Sequence, residues 1–214
     1  MAAHTDTVVS IPADSVTLAG DLQVPPGADG LVVFAHGSGS SRLSPRNTFV
    51  AERLRERGLG TLLFDLLTDR EDRDRAARFD IDLLTGRLLA ATQWLRARED
   101  TADVALGYFG SSTGAAAALR AAARRGDIAA VVSRGGRVDL ASESLSDVTA
   151  ATRFIVGGAD TDVLSLNRTA SEHLTGAAAT DLTVVEGAGH LFEGPGELET
   201  VADLAGEWFE THLS

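Results

Sequence analysis

The sequence predicts an α/β protein: a doubly wound, mostly parallel sheet with an antiparallel hairpin at its N-terminal edge. Three observations carry this. Short continuous apolar runs recur from residue 31 onward, as strands buried on both faces require. Segments with helical spacing of apolar residues lie between them. Ahead of residue 31, two stretches show partial alternation of apolar and polar residues, the mark of a sheet edge with one wet face.

Taken in order, Thr7 to Ile11 and Val16 to Val24 read as the two edge strands, joined at Pro12-Ala13-Asp14. Pro25-Pro26-Gly27 breaks the second. Leu31-Val32-Val33-Phe34-Ala35 is a buried strand, and it opens into the small-residue loop His36-Gly37-Ser38-Gly39-Ser40-Ser41-Arg42. A helix capped by Asn47 is expected to run to about Arg57, stopped by Gly58 and Gly60. Thr61-Leu62-Leu63-Phe64 is the next strand, closed by Asp65. Thr68 to Asp82 is dense in both charge signs and reads as a solvated rim or short lid. Leu83 to Arg98 has helical spacing through Leu84, Leu88, Ala91 and Leu95.

Val104-Ala105-Leu106-Gly107-Tyr108-Phe109 is a buried strand, and the alanine-rich run from Ala115 to Arg124 is a strong helix former with Gly126 placed to end it. Between them lies Gly110-Ser111-Ser112-Thr113-Gly114. Further strands follow at Ala129 to Ser133, Arg153 to Val156 and Leu182 to Val185. They open into Arg134-Gly135-Gly136-Arg137, Gly157-Gly158-Ala159-Asp160 and Glu186-Gly187-Ala188-Gly189-His190. Helices are expected from near Val163 to Leu174 and from Pro195 to His212, the last burying Leu198, Val201, Leu204, Ala205 and Trp208.

Size and composition narrow the function. A chain of 214 residues with 44% apolar content suits one domain with a sizeable core. No apolar run reaches transmembrane length. The first residues lack a basic segment followed by an apolar one, so no signal peptide is expected. Cysteine is absent, which excludes disulfides, thiolate metal sites and a cysteine nucleophile. A cytoplasmic setting fits this. The net charge of −12 opposes binding to nucleic acid or an anionic membrane, so neither is expected as a partner.

The chemistry gathers at the predicted strand ends, where ligands of such sheets bind. Gly110 to Gly114 matches G-x-S-x-G between strand and helix, a pattern that exposes its central serine, Ser112. A serine hydroxyl needs a base, and the base needs a partner that fixes its tautomer and stabilises its charge. Of five histidines, only His190 lies in a glycine-rich loop after the last strand. His4 is terminal, His173 and His212 sit in predicted helices, and His36 suits another task. Asp160 follows a strand and two glycines between Ser112 and His190, with Asp162 as runner-up and Asp139 further behind. The order Ser112, Asp160, His190 is that of one hydrolase fold. A tetrahedral intermediate needs preorganised donors, and the expected pair is the backbone amides of Thr113 and Ser38.

These pieces resemble those of small α/β-hydrolases, in particular the dienelactone-hydrolase-like serine hydrolases. The matching residues are Phe34 to Arg42, Leu63 to Leu67, Gly110 to Ala116, Ser133 to Arg137, Gly157 to Asp160 and Gly187 to Phe192. They span nearly the whole chain. The resemblance implies the α/β-hydrolase fold, a triad on Ser112, Asp160 and His190, no metal and no organic cofactor. Enzymes acting on dienelactone itself use a cysteine, so the serine here favours ester hydrolysis more broadly. Some relatives of this type are fused to a phosphoribosyltransferase domain; this chain starts almost at its first strand, so none is expected here. Val138 to Thr152 is too short for a large cap domain, and an open site is expected.

Arg42 and Arg134 stand at strand-end loops and are candidates to hold an anionic group of the substrate. The competing expectation, and the favoured one, is a structural ion pair with Asp65, Asp139 or Glu193. Asp65 is expected to organise a loop. A carboxylesterase acting on a small-molecule ester is the reading reached. The alternatives are a catalytically silent or acyl-transferring protein of the same fold, and a dinucleotide-binding domain. The last is weakened by arginine at position 42, where a third glycine belongs.

Overall fold

The computed structural model describes residues 7–213, and every structural statement below concerns these. Strand β1 (Thr7–Ala13) pairs antiparallel with β2 (Val16–Gln23), with Ala13 opposite Val16. Val9, Ile11 and Ala13 point inward, as do Leu18 and Leu22. The strand runs through Pro12, past the expected break. Proline is tolerated there because β1 is an edge strand. The turn falls at Asp14-Ser15, where Asp14 takes a positive φ of 51°.

The remaining strands are β3 (Gly30–Ala35), β4 (Gly60–Phe64), β5 (Ala105–Ser111), β6 (Ile128–Arg134), β7 (Ala151–Gly157) and β8 (Thr180–Val185). They form one sheet in the order β1-β2-β4-β3-β5-β6-β7-β8. All pairs from β4 to β8 are parallel, and β2 joins β4 antiparallel. Every residue of β3 and β4 is buried, which accounts for their continuous apolar sequence. Because β4 and β5 flank β3, the strand order turns at β3, and a crevice opens above the carboxyl ends there.

Helices α1 (Pro45–Glu56) and α6 (Glu197–His212) cover one face, through Val50, Leu54, Val201 and Phe209. On the other face lie α3 (Ile81–Arg96), α4 (Thr113–Ala123) and α5 (Thr161–His173), contributing Leu84, Leu88, Leu119 and Ala170. The alanines of α4 are small enough to lie directly against the sheet, and Ala115 to Ala118 have no exposed surface. Ser44, and not Asn47, caps α1; Pro45 holds the first helical position, where its missing N–H is no loss. Asn47 is buried instead. The charge-rich stretch forms a 3-10 turn (Glu71–Arg73) and the four-residue helix α2 (Arg75–Arg78). Arg87 of α3 anchors it by donating to Glu71 Oε1 at 2.9 Å and to the Ala13 carbonyl at 2.6 Å. Val138–Asp147 is a 3-10 segment where a large cap would otherwise insert. No helix among the described residues is long and apolar enough to cross a membrane.

Buried His36 ties the ends of β3 and β4. Its Nε2 accepts the Leu66 N–H at 3.0 Å, and its Nδ1 donates to the Gly37 carbonyl at 3.0 Å. The ring is therefore neutral, and burial holds its pKa below the ordinary 6.5. A histidine with a depressed folded-state pKa contributes stability that is complete above pH 6.5 and is lost as pH falls through the folded value. Urea unfolding of the wild type should thus show stability decreasing below pH 6.5. In His36→Gln, whose amide oxygen accepts from Leu66 without titrating, that part of the slope should vanish. An unchanged slope would remove His36 as its cause.

Candidate active site

The chain leaves β5 at Ser111 and enters α4 at Thr113, so Ser112 alone makes the reversal. It does so at φ 51° and ψ −121°, a region L-residues rarely occupy. Its neighbours hold it there. The Ser112 N–H donates to the Arg134 carbonyl at 3.3 Å, and the Ser112 carbonyl accepts from Ala115 at 3.1 Å and Arg137 at 3.0 Å. Both glycines of the motif are sterically required. A Cβ on Gly110 would lie 2.5 Å from Ala115 Cα, and one on Gly114 would overlap the carbonyl oxygen of Ala35. Ser111 is buried at 2% exposure, whereas Ser112 is half-buried and lines a cavity.

Asp160 ends the loop after β7 and leads into α5; His190 lies in the loop after β8. Asp160 Oδ2 accepts from His190 Nδ1 at 2.7 Å. The two loops are also joined backbone to backbone: Gly158 N–H donates to the Val185 carbonyl at 2.8 Å, and Ala159 N–H to the Ala188 carbonyl at 3.0 Å. The carboxylate and the imidazole therefore meet on two loops that cannot slide past one another. The bond to Asp160 assigns the ring proton to Nδ1 and leaves Nε2 as an acceptor. His190 lines the same cavity as Ser112. Asp162 lies in the first turn of α5 and Asp139 is paired with Arg137 at 2.8 Å, whereas Asp160 is the residue bonded to His190.

Ser38 lines the cavity from the loop after β3. Its N–H donates to Thr113 Oγ1 at 3.0 Å. The two residues expected to supply oxyanion amides are thus neighbours, and the side chain of one engages the amide of the other.

The cavity has a volume of about 530 Å³, enough for a small organic ligand. Besides Ser38, Ser112 and His190, its wall includes Arg134, Arg46, Asp72, Leu43 and Leu191. The two candidate arginines separate here. Arg42 forms ion pairs with Asp21 at 3.2 Å and Asp65 at 3.3 Å, outside this cavity. Asp65 also accepts the Arg42 N–H at 2.8 Å, the loop-organising role expected of it. Arg134 forms no ion pair with Asp139, which belongs to Arg137, or with Glu193, which lies 3.6 Å from Arg46. Burial, with a smaller contribution from the Arg46 charge, lowers its pKa to about 10, so the guanidinium is still cationic at neutral pH.

Sequence reasoning missed Arg46, Asp72 and the exposed Leu43 and Leu191. Asp72 came within the predicted rim. Arg46 had one available signal, its place at the first turn of the helix that follows the serine-rich loop. Among the described residues, no group of three or more His, Asp or Glu side chains is placed to hold a metal ion.

No family model matches the chain. Two Mycobacterium tuberculosis proteins, from strains H37Rv and CDC 1551, are 56% identical over 209 residues and carry the provisional name of phosphoribosyl transferase. The match covers 97% of this chain and 47% of each relative, so the chain spans about half the length of these curated relatives. Among solved structures, Est1E from Butyrivibrio proteoclasticus superposes with a TM-score of 0.80 at 16% identity, covering 95% of this chain and 98% of that one, which is a likeness of fold. A dienelactone hydrolase from Anabaena variabilis is 51% identical with a TM-score of 0.96, over 99% of both chains. A likeness of that extent, on this sheet order, places the chain in the dienelactone-hydrolase family of α/β-hydrolase-fold proteins.

Proposed function

We propose that the protein is a serine hydrolase of small-molecule carboxylic esters, with Ser112 as nucleophile, His190 as general base and acid, and Asp160 as the partner of His190. The observation that carries this reading is the 2.7 Å bond from His190 Nδ1 to Asp160, on a histidine that shares its cavity with the strained Ser112. Similarity to a dienelactone hydrolase supports the bond class, since a lactone is a cyclic ester. In the reaction, His190 Nε2 takes the Ser112 Oγ proton as Oγ attacks the carbonyl carbon. The charged imidazolium is stabilised by Asp160. The tetrahedral intermediate collapses with breakage of the bond to the alcohol oxygen, which receives the proton from His190. Water, deprotonated by His190, then attacks the acyl-enzyme, and Ser112 Oγ leaves with that proton.

The oxyanion is held by the amides of Thr113 and Ser38. In the resting enzyme the Ser38 amide is occupied by Thr113 Oγ1, so the developing oxyanion shares or takes over that donor. The hydroxyl keeps the loop after β3 at the elbow until the substrate arrives. The acidic surface directs the activity away from nucleic acid and anionic membranes as partners.

A fluorophosphonate probe should label the wild type and fail to label Ser112→Ala, with hydrolysis of p-nitrophenyl butyrate falling by about 10⁴-fold or more. Labelling that persists in Ser112→Ala would sink the assignment. Asp160→Asn should keep the fold and lower kcat by roughly 10³–10⁴-fold, because the amide no longer selects the Nδ1–H tautomer. Steady-state kinetics with a thermal-melting control checks this. A kcat within about threefold of the wild type would exclude Asp160 as the partner acid.

A further inference from the structure

The side-chain hydroxyl of Thr113 has a proton without an acceptor. Thr113 is the first residue of α4, so its N–H belongs to the helix end that has no acceptor within the helix. The residue is 1% exposed. Its Oγ1 accepts the Ser38 N–H at 3.0 Å and makes no other hydrogen bond among the described residues. The O–H is therefore a buried donor left over, a state that proteins rarely tolerate without a reason. Four of the five other buried threonines, Thr85, Thr92, Thr101 and Thr152, donate theirs to the carbonyls of Ile81, Leu88, Leu95 and Ala150. The fifth, Thr61, lies away from the site and accepts from Arg55 at 2.9 Å.

The leftover proton sits between the elbow and the loop after β3. That loop presses on the nucleophile: a Cβ on Gly37 would lie 3.0 Å from Ser112 Cβ. From Gly37 to Ser41, the Ser38–Thr113 bond is the one hydrogen bond to another secondary-structure element among the described residues. The rest stay local, as from Ser40 N–H to the Gly37 carbonyl at 3.2 Å and from Leu43 N–H to Ser41 Oγ at 3.2 Å. The hydroxyl is thus the tie that sets where the Ser38 amide stands. Within one threonine, N and Oγ1 are separated only by Cα and Cβ, so the N–H and O–H of Thr113 can converge on a single oxygen atom. The Ser38 N–H, already at Oγ1, approaches the same point. A hydroxyl that accepts a hydrogen bond is polarised by it and becomes a better donor.

We propose that the Thr113 hydroxyl is a third donor to the oxyanion, beside the two amides. In the resting protein it holds the Ser38 N–H at the elbow. As negative charge develops on the carbonyl oxygen, the hydroxyl turns its own O–H to that oxygen, and the Ser38 N–H is shared between Oγ1 and the oxyanion. No proton is transferred; the hydroxyl keeps its hydrogen throughout and is unchanged after each turnover. A charged oxygen is a much stronger acceptor than the neutral carbonyl it replaces, so the gain falls on the transition state and on kcat. The oxyanion role rests on the hydrolase reading above; the tie to Ser38 does not.

The test has two arms. In the first, steady-state hydrolysis of p-nitrophenyl butyrate is compared in the wild type, Thr113→Val and Thr113→Ser. Valine keeps the shape and removes the hydroxyl, so Thr113→Val should lower kcat by about 10–100-fold with KM within about threefold of the wild type. Serine keeps the hydroxyl, so Thr113→Ser should return kcat to within about threefold. A kcat in Thr113→Val within about threefold of the wild type, a loss confined to KM, or a serine variant as slow as the valine one overturns the proposal. Thermal melting accompanies each variant; where valine unsettles the fold, Thr113→Ala takes its place with the same expected loss of kcat. The second arm needs no turnover. Hydrogen exchange of the Ser38 amide, followed by NMR, should be slow in the wild type and in Thr113→Ser and about tenfold faster or more in Thr113→Val. Equal exchange in the wild type and Thr113→Val removes the tie and with it the proposal. If the wild type hydrolyses no ester, the hydrolase reading falls and takes the oxyanion role with it, and the exchange rates still decide whether Thr113 holds Ser38. If the wild type is active and Thr113→Val equals it, the hydrolase reading stands and the third donor falls.

Discussion

The backbone conformation of Ser112 is the constraint on which the rest depends. Reversing direction within one residue, from β5 to α4, forces φ to 51°. Strain of this kind costs of order 1–3 kcal/mol and persists only where the surroundings over-determine it. Here the surroundings are specific. Three backbone hydrogen bonds fix the peptide groups on either side of Ser112, one to the last residue of β6 and one to the loop that follows it. Gly110 and Gly114 leave no side chain where α4 and the loop after β3 close in. Alanines along α4 then let the helix settle against the sheet without lifting the elbow. Sequence, local strain and packing agree at this point.

From that elbow outward, the site is assembled by ties between loops. Neighbouring loops are stitched by main-chain bonds, as between the segments around Gly158 and Ala188, or by a buried side chain, as where His36 bridges to Leu66. Such bonds place side chains from distant parts of the sequence without relying on long, flexible contacts. The Thr113 hydroxyl is the most economical of them, since one atom links the loop after β3 to the first residue of α4. Loops this short are held to their strands, so their geometry is that of the sheet.

Electrostatics divides the arginines into two groups by the same logic. On an acidic protein most guanidinium groups find a carboxylate, and many of these pairs lie at the surface, where each is worth little. Arg42 belongs with them although its loop borders the site. Arg134 does not, although its loop has the same kind of sequence. The difference lies in what each neighbouring strand end presents: Asp21 and Asp65 beside Arg42, the Ser112 elbow and Phe192 beside Arg134.

The sheet, its edge hairpin and the strand-end location of the chemistry were legible in the residues, because strand burial imposes continuous apolar runs and tight turns impose glycine. Local rules settled less at the boundaries. Asn47 looked like a helix cap and proved to be buried, since Ser44 one turn earlier offers its hydroxyl and Pro45 supplies the first helical φ. Pro12 looked like a break, yet an edge strand does without its N–H. Residue type and chain order alone singled out Ser112, Asp160 and His190, and the structure brings the last two to 2.7 Å. What sequence could not decide was partnership. Whether Arg42 or Arg134 finds a carboxylate, and whether the Ser38 amide is free or held by Thr113, depends on distances between loops up to 75 residues apart. Those distances are set by strand order and register, which no local pattern encodes.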